Sequence, residues 1–153
     1  MRIAVGADVN GVEMKDLIKA HLIARGHEVV DFGQHSGADI DYPETAEPVA
    51  RAVASGEVDR AVLVCGTGLG MAIVANKVRG VRAAPVSDPY SAQRAIMSNN
   101  AKVLCLGQWV IGMRLAPILV DHWLAGEFAG GNSGRKVAKI DDLDERERAS
   151  SPS

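Results

Sequence analysis

The chain has 153 residues, of which 47% are hydrophobic and 24% are charged, a composition typical of a globular protein and not of a disordered one. Its 17 basic and 19 acidic residues give a net charge of −2, so no positive surplus is available to follow a nucleic-acid backbone. The apolar run at the N-terminus is too short for a secretory signal or a membrane span. We therefore predict a cytoplasmic protein that has neither a nucleic acid nor a membrane as its partner.

Short apolar runs alternate with segments of helical periodicity from the N-terminus to about residue 148. In chain order, the sequence predicts a strand at 2–7, a helix at 12–26, a strand at 27–33, a helix at 43–56, a strand at 59–65, a helix at 68–78, a strand at 80–87, a helix at 88–100, a strand at 101–107 and a helix at 109–127 that Pro117 interrupts. A glycine-rich loop at 129–135, a polar helix at 136–148 and a frayed tail at 149–153 complete the chain.

The alternation of five strands with helices predicts an α/β fold. This fold is a three-layer sandwich with a five-stranded, parallel, Rossmann-like sheet, helices on both faces and a C-terminal helix. No repeat or linker divides the chain, so residues 1–148 are predicted to form one domain. Glycine-rich and polar turns follow the strands, and in such sheets ligands bind beyond the carboxyl ends of the strands. We expect the functional site at that edge.

The segment AVLVCGTGLGMAIVANK, at 61–77, runs from a buried strand through a glycine-rich turn into a helix. A dinucleotide-binding fingerprint would need a third glycine at the sixth position from Gly66, where the chain has Met71. A phosphate-binding P-loop would end in Gly-Lys-Ser or Gly-Lys-Thr, and this segment does not. What remains is a turn whose backbone N–H groups favour an anion, including one that develops during a reaction.

Cys65 and Cys105 both lie in apolar strands, and both are predicted to be free thiols. A thiol at a helix N-terminus ionises more readily than a free cysteine, and in that form it can remove a carbon-bound proton. Loss of a proton beside a carbonyl gives an enediolate, whose charge the glycine-rich turn would stabilise. Two interpretations of Cys65 stay open: it is a general base, or it is a small apolar residue of the strand.

A few polar residues outside this segment also stand at positions where a ligand could bind. Asp8 ends an apolar strand at the expected ligand edge, and an ionised carboxylate there is hard to explain as part of a core. Tyr42 precedes Pro43 at the start of a helix, where it either caps a pocket or packs. Asp39 and Asp41 lack a third carboxylate or a histidine as a neighbour, so we predict no metal site.

Seven separated motifs resemble those of the type B ribose-5-phosphate isomerases and the related galactose-6-phosphate isomerases. The resemblance covers nearly the whole chain, from Arg2 to about Asp142. The motifs are GADVNG at 6–11, DYP at 41–43, CGTGLGMAIVANK at 65–77, GVRA at 80–83, YSAQRA at 90–95, NNA at 99–101 and VIG at 110–112.

This resemblance implies a cofactor-independent, metal-free aldose–ketose isomerase of a sugar phosphate, nominally of ribose 5-phosphate and ribulose 5-phosphate. The intermediate would be a cis-enediolate, with Cys65 moving a proton between C1 and C2 of the sugar. The anion hole would be lined by Gly66, Thr67, Gly68 and Gly70, and the sugar would be bound by Asp8, Tyr42, Ser98 and Asn99. The resemblance also implies a homodimer, or a pair of dimers, with its sites between subunits.

Four positions depart from the pattern of that family. They are Val9 and Ser98, where the family usually has histidine, and Trp109 and Asn132, where it usually has arginine. Lys136 falls on the second arginine that normally grips the phosphate, so Arg135 and Lys136 are the predicted phosphate-binding pair. Trp109 either offers a stacking face to the sugar or packs at the subunit interface. No remaining histidine is predicted to take over a lost role; these are His21, His27, His35 and His122.

The resemblance implies that the histidine replaced by Ser98 opens the furanose ring of the substrate. An aldotetrose with phosphate on C4 has no free hydroxyl that can close a five-membered ring, so its isomerase needs no such group. The sequence SNNA at 98–101 is similar to that of family members that interconvert D-erythrulose 4-phosphate and D-erythrose 4-phosphate. The alternatives that stay open are a tetrose phosphate, a sugar without phosphate, a nucleotide- or flavin-binding module of the same fold, and an inactive relative.

Overall fold

A parallel five-stranded sheet organises the computed structural model, which describes residues 1–34 and 39–152. Its strands are β1 (Arg2–Ala7), β2 (Glu28–Asp31), β3 (Arg60–Cys65), β4 (Ala83–Pro85) and β5 (Val103–Gly107), and they pair in the order β2-β1-β3-β5-β4. The helices are α1 (Val12–Ala24), α2 (Tyr42–Ser55), α3 (Leu69–Ala75), α4 (Pro89–Asn99), α5 (Leu115–Ala125) and α6 (Gly131–Ser150). This architecture confirms the predicted α/β fold with a five-stranded parallel sheet.

Side chains that alternate along the strands divide the core into two layers, one on each face of the sheet. Val62 and Val64 of β3 pack with α1, α4 and α5, whereas Leu63 and Cys65 pack with α2 and α3. Because β3 lies between β1 and β5, all of its residues are buried, which explains the unbroken apolar run in its sequence. Helices therefore cover both faces, as the three-layer sandwich requires.

The start of α5 differs from the prediction of a helix at 109–127. This helix begins only at Leu115, because the chain first makes a turn in which the N–H groups of Val110 and Ile111 both donate to the carbonyl of Gly107, at 3.0 Å. Pro117 lies in the first turn of α5, where its missing N–H costs no helical hydrogen bond. The proline therefore does not interrupt the helix.

The last helix is longer than predicted. It begins at Gly131 and ends at Ser150, so most of the glycine-rich loop predicted at 129–135 is helical instead. The N–H of Gly134 donates to the carbonyl of Gly130 at 3.1 Å, which closes the first turn despite the low helix propensity of glycine. Among the helices in the described ranges, α6 included, none has both the length and the apolar character needed to cross a membrane.

A buried arginine links the end of α5 to the side of the sheet where the strands begin, which is called the amino edge below; the side where they end is the carboxyl edge. Arg60, at the start of β3, donates to the carbonyls of Trp123 and Gly126 at 2.8 and 2.9 Å, and its guanidinium lies 5.2 Å from the centre of the Trp123 ring. The indole N–H of Trp123 donates in turn to the carbonyl of Ala101, at 2.8 Å. The two bonds from Arg60 satisfy carbonyl groups that the end of α5 leaves without partners.

A buried ion pair joins α1 to the end of β2. Lys15 is only 1% exposed, and its Nζ lies 3.0 Å from both carboxylate oxygens of Asp31. Asp31 also accepts hydrogen bonds from Lys19 at 3.0 Å and from the N–H of Gly33 at 2.9 Å. Burial by itself raises the pKa of Asp31, but these hydrogen bonds and the charge of Lys15 outweigh it, so the pKa lies below the ordinary value of 3.8.

We expect Asp31→Asn to lower the free energy of unfolding by about 3 kcal/mol at neutral pH, because the buried Lys15 ammonium loses its main partner. Since the pKa of Asp31 is lowered by folding, its contribution is present above the ordinary value of 3.8 and is lost as the pH falls through the folded-state pKa. The difference between the two proteins in urea denaturation should therefore shrink below about pH 4.

Glu47→Gln is the matched control for this substitution, since Glu47 forms an exposed ion pair with Arg51. It should change the free energy of unfolding by less than about 0.5 kcal/mol. An effect of Asp31→Asn no larger than that of Glu47→Gln would contradict the prediction.

Candidate active site

The carboxyl ends of three central strands open into a cleft. The register pairs Ala7 with Val64 and Cys65 with Gly107, which aligns the ends of β1, β3 and β5. The cleft beyond them has a volume of about 340 Å³. Six of the residues predicted from the sequence line it: Asp8, Tyr42, Cys65, Gly66, Thr67 and Gly70.

Cys65 is the last residue of β3, and its thiol lines this cleft with 5% of the residue exposed. The Sγ atom accepts a hydrogen bond from the backbone N–H of Gly68, 3.1 Å away. Gly68 holds a left-handed φ of 80°, which glycine adopts without the strain that a side chain would bring. An N–H group pointing at sulfur stabilises the negative charge of a thiolate, which is the reactive form of cysteine.

Cys105 provides a contrast within the same sheet. It is fully buried in β5, and its burial, together with the proximity of Cys65, raises the pKa of its thiol. Both cysteines are free thiols, as predicted. Of the two, only Cys65 lines the cleft, so the structure separates a thiol that can meet a ligand from one that only packs.

The turn after Cys65 offers backbone donors to the same cleft. Within residues 1–34 and 39–152, no group accepts a hydrogen bond from the N–H of Thr67 or Gly70, and both residues line the cleft. Gly70 lies in the first turn of α3, where N–H groups have no partner inside the helix. Such fixed donors stabilise an oxyanion without having to reorganise during the reaction.

This turn is held in place by the segment that follows β5. The N–H groups of Gln108 and Trp109 donate to the carbonyls of Cys65 and Gly66, at 2.9 and 3.0 Å. A Cβ placed on Gly107 would lie 2.6 Å from the carbonyl carbon of Thr67, so only glycine allows this approach. The donors of the turn are therefore positioned by the sheet itself.

Two aromatic rings stand against glycines of the turn and form the walls of the cleft. The ring of Tyr42 packs on Gly70, and the indole of Trp109 packs on Gly66; a Cβ on either glycine would lie less than 3.0 Å from ring atoms. Trp109 is 70% exposed, so its outer face is open. Both interpretations of Trp109, as a stacking face or as an interface residue, remain compatible with this position.

Asp8 and its neighbour Asn10 line the side of the cleft near β1. Asp8 is 7% exposed, and its Oδ1 accepts a hydrogen bond from the N–H of Asn10 at 2.9 Å. Burial raises the pKa of Asp8, and the hydrogen bond from Asn10 opposes this effect without cancelling it. Sequence reasoning missed Asn10 and Ile73 as lining residues, although Asn10 belongs to the GADVNG motif.

Ser98 and Asn99 lie at the opposite edge of the sheet from the Cys65 of the same chain. They end α4, and the chain then enters β5 at Val103. Val103 pairs with Ala61, which precedes Cys65 by four residues on β3. Four strand residues span roughly 13 Å, so one copy of the chain does not bring Ser98 or Asn99 to its own thiol.

Arg135 and Lys136 lie on α6 and also outside the cleft. This helix packs against α4, and its Asp141 forms an ion pair with Arg82, the residue just before β4. Asp144 of α6 accepts a hydrogen bond from the N–H of Gly80 at 3.2 Å. The helix that carries the predicted phosphate-binding residues is thus attached at the amino edge, on the same side as Ser98 and Asn99.

The remaining histidines contribute nothing to the cleft within the described residues. His21, His27 and His122 all lie elsewhere, and His35 is outside the described residues. His21 links α1 to α5, because its Nε2 lies 2.7 Å from Oδ1 of Asp121.

Known proteins that are similar to this chain in sequence and in fold carry isomerase names. Residues 3–140 match the sequence model of the ribose/galactose isomerase family. Ribose-5-phosphate isomerase B of Escherichia coli K12 is 46% identical over 145 residues, which cover 95% of this chain and 97% of that protein. D-erythrulose-4-phosphate isomerase of Pectobacterium atrosepticum is 45% identical over 149 residues, 97% of this chain and 98% of that protein. The solved structure of Clostridium thermocellum ribose-5-phosphate isomerase B has a TM-score of 0.94 at 44% identity, covering 96% of this chain and 99% of that one.

The structure is that of an α/β protein with a cleft beyond the carboxyl ends of its parallel strands, the place where such sheets usually bind ligands. The chain belongs to the ribose/galactose isomerase family, which confirms the resemblance inferred from its motifs. Membership favours an enzyme over a nucleotide- or flavin-binding module of similar architecture.

Proposed function

We propose that the protein is a cofactor-independent aldose–ketose isomerase of a sugar phosphate, with Cys65 as the group that transfers the proton. The observation that carries this proposal is the Gly68 N–H that points at the Cys65 sulfur, 3.1 Å away, inside a cleft that also holds unpaired backbone donors. The enzyme would act in the cytoplasm, where its two thiols stay reduced.

The reaction needs one base and one set of oxyanion donors. With the carbonyl oxygen of the open-chain sugar at the N–H groups of Thr67 and Gly70, the Cys65 thiolate removes the proton from the neighbouring carbon. The electrons of that C–H bond form a C=C bond, and the carbonyl electrons move to oxygen, which gives a cis-enediolate. The thiol then returns the proton to the other carbon while a proton passes between the two oxygens, so atoms and electrons balance.

Three side chains would orient the sugar during this transfer. Thr67 Oγ1 accepts the N–H of Leu69 at 3.3 Å, which leaves its own O–H to donate to a sugar oxygen. Asp8 and Tyr42 line the same cleft and would bind hydroxyl groups of the substrate. Their positions on β1 and α2 are set by the fold, so little ordering is needed when the sugar binds.

The complete site takes residues from two copies of the chain. The cleft of one copy has no cationic side chain among its described lining residues, so a phosphate needs cations from elsewhere. In a homodimer or a pair of dimers, the amino edge of one copy would meet the carboxyl edge of the other, adding Ser98, Asn99, Arg135 and Lys136 to the cleft. Leu69 and Val110, beside Thr67, are apolar and more than half exposed, and a second copy would cover them.

The substrate that fits best is a four-carbon sugar phosphate. Ser98 carries a neutral hydroxyl that accepts a hydrogen bond from Arg94, and it cannot act as an acid–base group for ring opening at neutral pH. A tetrose 4-phosphate needs no ring opening. The relative named as a D-erythrulose-4-phosphate isomerase is as similar to this chain as ribose-5-phosphate isomerase B of Escherichia coli, so the choice of the tetrose rests on Ser98.

A panel of sugar phosphates tests the reaction and its substrate together. We expect kcat/KM for D-erythrulose 4-phosphate to exceed that for D-ribulose 5-phosphate by about tenfold or more. The panel also includes six-carbon ketose phosphates and unphosphorylated D-erythrulose. A higher value for the pentulose would contradict the tetrose assignment alone, whereas no interconversion of any sugar would contradict the isomerase and favour an inactive relative.

Removal of the thiol tests the role of Cys65. We expect Cys65→Ala to lower kcat/KM by about a thousandfold or more, because the substitution removes the group that is proposed to transfer the proton. Cys105→Ala is the matched control, since it removes the thiol that only packs, and it should keep kcat/KM within about threefold of the wild type. The circular dichroism of both variants should match that of the wild type. A Cys65→Ala enzyme as active as Cys105→Ala would refute the assignment.

Mixing two inactive variants tests whether the site is shared between copies. Cys65→Ala and Asn99→Ala each damage every site of a homodimer, but a mixed dimer has one site in which both residues are intact. After subunit exchange of equal amounts, we expect about a quarter of the wild-type activity. Activity that stays at the sum of the two separate variants, with mixed dimers shown by mass spectrometry, would argue that each site uses one copy only.

A further inference from the structure

We propose that the indole of Trp109 is a specificity-determining wall that limits the length of the sugar phosphate in the cleft. This inference rests on the proposed isomerase function and concerns which substrates that site accepts. In this proposal Trp109 contacts the carbon chain of the substrate. The sequence alone left two roles open for Trp109, stacking on the sugar and packing at the subunit interface.

The position of the ring brings it next to the reacting atoms. Trp109 packs on Gly66, the residue directly after Cys65, and a Cβ on Gly66 would lie 2.6 Å from Cε3 of the indole. The backbone N–H of Trp109 donates to the carbonyl of Gly66 at 3.0 Å, so both the backbone and the ring of Trp109 contact the same glycine. A substrate whose C1 and C2 lie at the Cys65 thiol therefore passes close to the indole.

The backbone that carries the ring is fixed on two sides. Gln108 donates its N–H to the carbonyl of Cys65 at 2.9 Å, and its Oε1 accepts the N–H of Met14, in the first turn of α1, at 3.0 Å. Because the segment is tied to both β3 and α1, the wall does not need to close on the substrate. The indole sets the available space before a ligand arrives.

The chemistry of the wall decides the orientation of the substrate. Trp109 is 70% exposed and Ile73, which lines the same cleft, is 62% exposed, so this side of the cleft is apolar. An indole face packs well against C–H groups of an open-chain sugar but offers no positive charge to a phosphate. The phosphate must then point away from Trp109, towards Arg135 and Lys136 of a second copy, and the distance between ring and cations limits the number of carbons.

A pair of variants tests this wall through the ratio of kcat/KM for D-erythrulose 4-phosphate to that for D-ribulose 5-phosphate. Trp109→Ala, which removes the wall, should lower the ratio by about tenfold or more, whereas the matched control Trp109→Phe, which keeps an aromatic face, should change it by less than about threefold. The ratio is informative whichever sugar the wild type prefers. An unchanged ratio in Trp109→Ala would overturn the proposal.

A binding measurement separates this proposal from the proposed reaction. Trp123 is fully buried, so acrylamide quenches the fluorescence of Trp109 selectively. Saturating 4-phospho-D-erythronate, an acid that cannot isomerise, should protect Trp109 from quenching, and Trp109→Phe should show no such effect. Two results would overturn the proposal. One is weak quenching of Trp109 in the absence of the acid, and the other is unchanged quenching when calorimetry shows that the acid is bound. This readout needs no turnover, so it tests the wall even if the sugar panel finds no activity.

Discussion

The hydrogen bond between the Gly68 N–H and the Cys65 sulfur joins the sheet to the loop that follows it. It exists because β3 ends at Cys65 and because Gly68 can take a left-handed conformation three residues later. The same turn leaves the N–H groups of Thr67 and Gly70 directed to no other partner among the described residues. One short piece of backbone thus places the Cys65 thiol and the two N–H groups beside the same cleft.

The topology of the sheet separates the remaining candidate groups from this centre. In a parallel sheet, every helix returns the chain to the amino edge, so residues at the end of a helix cannot reach the carboxyl edge of their own copy. Ser98 and Asn99 at the end of α4 obey this rule, and α6 is attached at the same edge. Association of two copies is the simplest way to bring the amino edge of one sheet to the carboxyl edge of another. A complete site would then exist only in the assembled protein.

The central strands were predictable because burial on both faces leaves a continuous apolar run, as β3 illustrates. The starts of α5 and α6 were not predictable. They depend on hydrogen bonds to the carbonyls of Gly107 and Gly130, and the pattern of apolar residues does not indicate such bonds. Within the cleft, Asp8 and Cys65 were predictable from their place at strand ends. Ile73 was not predictable, because packing decides which face of α3 meets the cleft. The role of Trp109 stayed open because its contact with Gly66 crosses from β5 to β3.

Aromatic rings packed directly on glycines give this scaffold a particular evolutionary freedom. Gly66 and Gly70 contribute only backbone to the cleft, and a side chain on either glycine would displace the ring that packs on it. Replacing Tyr42 or Trp109, in contrast, would reshape the space above these glycines and leave the reactive backbone untouched. New substrates could therefore be acquired by changing one ring at a time while the proton-transfer chemistry is inherited intact.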